Sequence, residues 1–188
     1  KSEVGLLTPT EAAVLGWAVT DGTIQRRAGR FSRLGISQSK TENFQAIRLL
    51  VNTLSPGVKE IVSAPRGRTF PSGKTYATLA QHWWYLPASV SRALLAKAGF
   101  EDRSSLPQIA ASLAGDARRA MLQAFMLAEG TERRAFYNGD PHILSAFQIL
   151  AALEGYATGK VRPHSTIFSP WATSRSMPLI MEAIMSLV

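Results

Sequence analysis

Residues 14–22 read Val-Leu-Gly-Trp-Ala-Val-Thr-Asp-Gly, and residues 122–130 repeat the pattern as Leu-Gln-Ala-Phe-Met-Leu-Ala-Glu-Gly. Both stretches are apolar, and both end in an acid followed by glycine. Small residues recur at every fourth position along one helix face of each stretch. They include Gly16 and Thr20 in the first copy and Ala124 and Ala128 in the second. We therefore predict two helices that pack side by side at unusually close range.

Close packing of these helices places the acids Asp21 and Glu129 next to each other. A carboxylate at a helix C-terminus lies at the negative end of the macrodipole, and a second carboxylate adds repulsion. The arrangement is unfavourable unless a cation offsets it. Because carboxylate oxygens suit hard divalent ions, we predict that Asp21 and Glu129 bind Mg²⁺ or another divalent cation.

The two acid-glycine motifs resemble the signature of the LAGLIDADG homing endonucleases, which are intron-encoded, free-standing or intein-embedded. The resemblance implies an α+β fold: a pseudo-twofold pair of αββαββα half-domains, with the two motif helices packed at their interface. Antiparallel sheets then form a saddle over double-stranded DNA of roughly 20 base pairs, about two helical turns. It further implies a monomer in which Asp21 and Glu129 hold Mg²⁺ at the scissile phosphates.

Matching sequence around the two motifs indicates an internal repeat. We predict an N-terminal half-domain at residues 1–100, a surface linker at 101–115 and a C-terminal half-domain at 116–188. The pair Phe44-Gln45 recurs as Phe147-Gln148, and Phe147 is closer in sequence to Glu129 than Phe44 is to Asp21. The second half is therefore reduced, with a hairpin that extends little beyond residues 131–138.

Local patterns predict the remaining elements. Thr8, Pro9 and Glu11 form a capping box that begins the first helix, and a basic hairpin follows at 23–39. We predict further helices at 41–54, 88–98 and 177–187, and strands at 59–64, 76–85 and 159–167, with a basic loop at 65–74.

Composition favours a polyanionic partner, since the net charge is +8. The chain contains no cysteine, which excludes disulfides and cysteine zinc sites, and its three histidines lack metal-ligand spacing. No apolar run approaches the ~20 residues of a membrane span, and we recognise no signal peptide. We expect an intracellular protein, in the cytoplasm or nucleoid, an organelle or a phage-infected cell. Because it begins at Lys1, we interpret the chain as a processed or excised piece of a longer protein.

Basic and amide side chains of the hairpins and loops are the predicted DNA contacts. For the first hairpin, an edge strand protected from aggregation by its charges is the alternative. The sequence does not separate base readers from phosphate anchors. The predicted contacts are Gln25, Arg26, Arg27, Arg30, Arg33, Lys40, Arg66, Arg68, Arg133, Arg134, Asn138 and Arg162.

The resemblance also implies a polar and basic ring that orders water around the metals. Gln38 matches the glutamine often found there, and Asn138 is its counterpart in the second half. Lys74 and Lys160 are the candidates for an assisting lysine, although neither lies in a motif that fixes its position. An exposed strand position is the alternative interpretation of Gln38.

Phosphodiester hydrolysis needs an activated water and cations that hold the developing charge, and two metals between close carboxylates can supply both. We therefore predict a site-specific double-strand DNA endonuclease. The alternative is a cleavage-deficient protein of the same fold, an RNA maturase or DNA-binding regulator, with RNA as a partner of the maturase. The acid pair favours the enzyme, because a binder has no reason to keep two carboxylates against phosphate. A structural protein whose acids meet by coincidence is the third interpretation.

Overall fold

The computed structural model describes residues 7–69, 71–130 and 135–158, so the predicted strand at 159–167 and helix at 177–187 lie outside it. The described residues form a mixed α+β fold, which confirms the predicted class. The helices are α1 (Pro9–Thr20), α2 (Phe44–Leu54), α3 (Ala88–Lys97), α4 (Leu106–Ser112), α5 (Gly115–Glu129) and α6 (Pro141–Leu153). The strands are β1 (Gly22–Arg27), β2 (Arg30–Gln38), β3 (Glu60–Ser63), β4 (Gly67–Thr69), β5 (Thr75–Ala77) and β6 (Gln81–Tyr85).

Helix α1 lies at the centre of the core. Its predicted capping box is confirmed: the Glu11 carboxylate accepts from the Thr8 N–H at 2.7 Å, and the Glu11 N–H donates to Thr8 Oγ1 at 3.3 Å. All residues from Ala12 to Val19 are buried. A helix that is apolar on every side needs cover on every side, and α5, α2, α3 and the strands supply it.

Four strands form an antiparallel sheet in the order β1-β2-β6-β3. The predicted hairpin of β1 and β2 is confirmed. Its two turn residues, Ala28 and Gly29, have φ of 50° and 76°, the left-handed conformation that tight hairpin turns require. Leu34 and Ile36 of β2 are fully buried against the helices, so the alternate residues lie on the opposite, open face of the sheet.

The segment 65–74 differs from the predicted loop. It contains β4, which pairs with β5 in a separate hairpin, and the predicted strand at 76–85 is divided into β5 and β6. The hydroxyls of Thr69 and Thr75 lie 3.0 Å apart across this hairpin, and the N–H of Thr78 donates to the Arg66 carbonyl at 2.9 Å. These cross-strand threonine contacts favour pairing, which the basic and glycine-rich composition had obscured.

The predicted surface linker contains packed structure. A 3₁₀ turn (Arg103–Ser105) leads into α4, whose Leu106, Ile109 and Ala110 are buried. Helix α4 packs against α6. The apolar side chains of α4 therefore connect this segment to the core of the second half.

The second half is described from α5 to Thr158. Gly130 pairs with Phe136 in a single antiparallel bridge, and Asp140 caps α6 by accepting from the His142 N–H at 2.9 Å. Phe147 is buried in the middle of α6, whereas Phe44 begins α2. The proposed echo of these two phenylalanines is thus displaced in the structure. None of the helices in the described ranges combines the length and the apolar character needed to cross a membrane.

Candidate active site

The site is assembled by the packing of α1 against α5. Gly16 faces Ala124 so closely that a Cβ added at Gly16 would lie 3.0 Å from the Ala124 Cβ and 3.2 Å from the Met121 carbonyl oxygen. Ala128 is also buried, and the Thr20 hydroxyl donates to the Gly16 carbonyl at 2.9 Å. Small residues therefore allow the two helices to pack closely along their length up to their C-terminal ends.

Asp21 is the cap residue at the end of α1 and is held on several sides. Its backbone N–H donates to the Trp17 carbonyl at 3.0 Å, and its own carbonyl accepts from the N–H and hydroxyl of Ser37 at 2.8 and 2.6 Å. Its Oδ2 accepts from Nε2 of Gln38 at 3.0 Å. These contacts fix both the backbone and the carboxylate of Asp21.

The glycines that follow the acids are required by close backbone approach. A Cβ at Gly22 would lie 2.2 Å from the Gly35 carbonyl oxygen, and a Cβ at Gly130 would lie 2.2 Å from the Met126 carbonyl oxygen. No side chain fits at such distances. The acid-glycine pattern thus has a structural cause in both copies.

Glu129 ends α5 and is held in a similar way to Asp21. Nδ2 of Asn138 donates to Glu129 Oε1 at 2.9 Å, and Asn138 Oδ1 accepts from the Asp140 N–H at 2.8 Å. In the first half, Gln38 Oε1 correspondingly accepts from the N–H groups of Ser39 and Lys40 at 2.8 and 2.9 Å. Each acid is therefore oriented by an amide side chain that the following backbone holds in place.

The two carboxylates are electrostatically unfavourable as they stand. Burial raises the pKa of Asp21 above its ordinary value, against the Gln38 hydrogen bond and the charge of Lys40. Burial also raises the pKa of Glu129, and the charge of Asp21 raises it further. Because that repulsion acts between the two carboxylates, a cation beside them would stabilise both ionised forms.

Lys40 links the two halves beside the acids. Its ammonium donates to the carbonyls of Ala128 at 2.9 Å and Leu127 at 3.3 Å, and Asn43 Nδ2 donates to the Leu127 carbonyl at 3.2 Å. These carbonyls belong to the last turn of α5, where the macrodipole is negative. Lys40 was predicted as a DNA contact, and the structure gives it this role at the helix end.

The donor groups at the acid pair decide which kind of metal ion it can hold. Within the described residues there is no group of three or more His, Cys, Asp or Glu side chains that could hold a metal. Asp21 Oδ1 and Glu129 Oε2 accept no hydrogen bond from any described residue. Mg²⁺ commonly binds through one or two carboxylates and keeps its other positions for water and phosphate oxygens. The acid pair fits such a partly hydrated ion and does not form a complete protein cage.

The open face of the sheet carries part of the predicted DNA-binding set. Gln25 pairs with Arg33 across β1 and β2, and Arg27 pairs with Arg30 at the tip of the hairpin. All four are exposed. Arg26 is different, because its guanidinium lies 4.3 Å from the Phe31 ring centroid and donates to the Glu101 carbonyl.

The other predicted residues are dispersed. Arg66 and Lys74 are exposed at the β4–β5 hairpin, and Lys74 is not among the described groups whose hydrogen bonds or charge shift the pKa of either acid. Asn138, predicted as the counterpart of Gln38, donates to Glu129. Arg68 lies on β4, but its side chain is outside the described part of the structure. Also outside are Arg133, Arg134, Lys160 and Arg162.

Sequence reasoning missed three contributors to the site. Ser37 holds the Asp21 backbone, Asn43 caps α5, and Tyr85 lies on the open face beside Arg33. Ser37 could have been found from the sequence, because it is next to the predicted site residue Gln38. For Asn43 and Tyr85 the partner is remote in sequence, so no local pattern indicates the contact.

No family model matches the chain, and the curated proteins contain no significant match to it. The geometry of the site is therefore the basis for the function of this chain.

Proposed function

We propose that the protein is a site-specific double-strand DNA endonuclease of the LAGLIDADG type that depends on a divalent cation. The single observation that carries the proposal is the pair of acids at adjacent helix ends, each oriented by its own amide side chain. Such an arrangement repels itself without a cation, and burial increases that cost. A purely structural role gives no reason to assemble it.

The order of elements supports a pseudo-twofold arrangement of two half-domains. The first half runs α1, β1, β2, α2, then β3 to β6 and α3. After α5, the second half continues with the bridge at Gly130 and then α6. In both halves an acid-ended helix leads through a paired segment to an amide residue and a further helix.

Charge supports double-stranded DNA as the partner. The chain carries a net charge of +8, and exposed arginines and Gln25 lie on the open face of a sheet. A basic surface of this kind attracts phosphate backbones, and arginine and glutamine are suited to base edges. We propose that a single chain acts as a monomer, inside the cell, on a duplex of roughly two helical turns.

The chain's own residues have separate roles in the proposed hydrolysis. Asp21 and Glu129 would hold Mg²⁺ between them, and Gln38 and Asn138 orient their carboxylates. When bound, the ion would stabilise charge on the phosphate and activate water. Lys40 offsets negative charge at the end of α5. Lys74 and Lys160 remain proposals as assisting lysines.

The test is cleavage of a randomised duplex library with and without Mg²⁺. We expect discrete, metal-dependent cuts from the wild type, and loss of cutting with retained binding in Asp21→Asn and Glu129→Gln. Glu60→Gln, which changes a carboxylate outside the site, is the matched control and should cut. An Asp21→Asn protein that cuts at the normal rate would contradict the proposal. Salt-sensitive binding without cuts by the wild type would favour the cleavage-deficient binding protein instead.

A further inference from the structure

The open face of the sheet carries an aromatic stack. The rings of Trp83 and Tyr85 are nearly parallel, with an interplanar angle of 6° and centroids 5.8 Å apart. Tyr85 lies across Gly35 of β2, where an added Cβ would be 2.6 Å from Tyr85 Cδ1. Gly35 pairs directly with Tyr85 in the sheet. The absence of a side chain at residue 35 therefore allows the Tyr85 ring to lie flat on the sheet.

Arg33 is placed on this stack. Its guanidinium carbon lies 5.1 Å from the Tyr85 ring centroid, and its side chain is exposed. Among the described residues, no hydrogen bond occupies its N–H donors. A guanidinium that stacks on an aromatic ring keeps its planar fork of donors available for a second, bidentate partner.

The neighbouring arginines do not share this geometry. Gln25 pairs with Arg33 and Arg26 pairs with Phe31, so Ser32 is an extra residue on β2. A bulge of this kind redirects the side chains beyond it. Successive side chains of a strand point to opposite faces, so Arg26 lies on the face opposite to Gln25 and Arg33, where it contacts Phe31 and Glu101 of the protein itself. Strand alternation thus separates Arg33 from the arginine nearest to it on β1, and the bulge sets the pairing of Arg26 with Phe31.

We propose that Arg33 reads one guanine in the major groove, with Tyr85 and Gly35 as the residues that position it. The assignment rests on the proposed DNA-binding function and identifies one base contact within it. Guanine presents O6 and N7 side by side, which matches the bidentate fork of arginine. A stacked guanidinium loses less conformational freedom on binding than a mobile one, so its stacking on Tyr85 favours this contact.

The experiment is selection of bound sequences from a randomised duplex library, in EDTA so that no strand is cut. We expect the wild-type profile to contain one guanine position that Arg33→Gln changes, reducing discrimination there about tenfold or more. Tyr85→Leu should weaken the same position, because the platform is lost. Tyr85→Phe keeps the ring and should retain the preference.

Arg92→Gln is the control, since it changes an exposed arginine on helix α3 that is not among the predicted DNA contacts. Its base profile should equal that of the wild type. The assignment is overturned if Arg33→Gln weakens all sequences equally, as loss of a phosphate contact would, or if Tyr85→Leu leaves the profile unchanged. A wild type that enriches no sequence would overturn the proposed function as well, whereas an enriched motif unaffected by Arg33→Gln overturns the guanine assignment alone.

Discussion

The carboxyl groups of Glu129 and Glu60 lie in opposite electrostatic environments. Burial and the charge of Asp21 raise the pKa of Glu129. By contrast, the Arg48 guanidinium donates to both Glu60 oxygens, at 2.6 and 3.0 Å, and together with His82 lowers the pKa of Glu60 to about 2. Ionised Glu129 therefore destabilises the fold at neutral pH, whereas ionised Glu60 stabilises it.

Replacement of Glu129 by Gln should raise the melting temperature in EDTA at pH 7. The pKa of Glu129 is higher in the folded protein than its ordinary value of 4.5. Ionisation of Glu129 therefore opposes folding once the pH exceeds that ordinary value, and the loss of stability is complete above the pKa of the folded state. Below the unfolded pKa both proteins carry a neutral group, so the gain should disappear in acid. Each kcal/mol relieved corresponds to roughly 2–4 °C in a chain of this size. Differential scanning calorimetry across pH measures both effects.

Glu60→Gln supplies the matched comparison of opposite sign. In the wild type, the stabilisation by ionised Glu60 is fully present above the pKa of the unfolded state and is lost as the pH falls towards the folded pKa of about 2. We expect a lower melting temperature than wild type at pH 7 and a shrinking difference in acid. A Glu129→Gln protein that melts below wild type at pH 7 in EDTA would contradict the account of the acid pair.

At the scale of elements, the site depends on how closely α1 and α5 approach. Gly16→Val should force the helices apart, because even a Cβ there would lie 3.0 Å from Ala124. Overpacking of this kind costs about 1–3 kcal/mol. We expect a lower melting temperature and a smaller stabilisation by added Mg²⁺, since the acids separate. Thermal unfolding with and without Mg²⁺ measures both.

The exchange Gly16→Ala with Ala124→Gly is the control for volume at this contact. The double variant moves one methyl group from α5 to α1 and keeps the total side-chain volume at the contact constant. The double variant should be more stable than Gly16→Ala alone, although the new glycine in α5 costs up to about 1 kcal/mol of helix propensity. If the loss of stability in the double variant equals the sum of the losses in the two single variants, the contact between residues 16 and 124 does not limit how closely α1 and α5 approach.

The segment between β2 and α2 caps α5 through Lys40. Lys40→Met removes the ammonium that donates to the Leu127 and Ala128 carbonyls. We expect a loss of about 1 kcal/mol, typical of a cation at a helix C-terminus, that diminishes at high salt. Chemical denaturation at two salt concentrations measures it. Lys59→Met, at an exposed position, is the control, and equal effects of the two variants would refute the capping role.

For the whole molecule, the net charge of +8 predicts duplex affinity that falls steeply with salt. The logarithm of the binding constant should decrease linearly with the logarithm of salt concentration, by about 0.9 for each phosphate contacted. Arg27→Gln should weaken binding similarly on all sequences and reduce that slope by about one. Fluorescence anisotropy at several salt concentrations tests this. A slope unchanged by Arg27→Gln would exclude a phosphate contact there.

Local signals predicted much of the first half. The capping box at Thr8 and the basic hairpin at 23–39 are confirmed, because each depends on neighbours in sequence. The β4–β5 hairpin was missed, since its threonine contacts, Thr69 with Thr75 and Thr78 with Arg66, join residues across a turn. Helix α4 was missed because polar residues and Pro107 suggested a surface connection.

The sequence by itself determined the two acid-ended helices, since apolar runs, small residues at every fourth position and terminal glycines are local properties. It also indicated Gln38 and Asn138 as paired amides. Only the tertiary structure decided that Lys40 reaches the end of α5, and that a bulge pairs Arg26 with Phe31. These features depend on contacts between distant residues and on strand register, which no local pattern specifies.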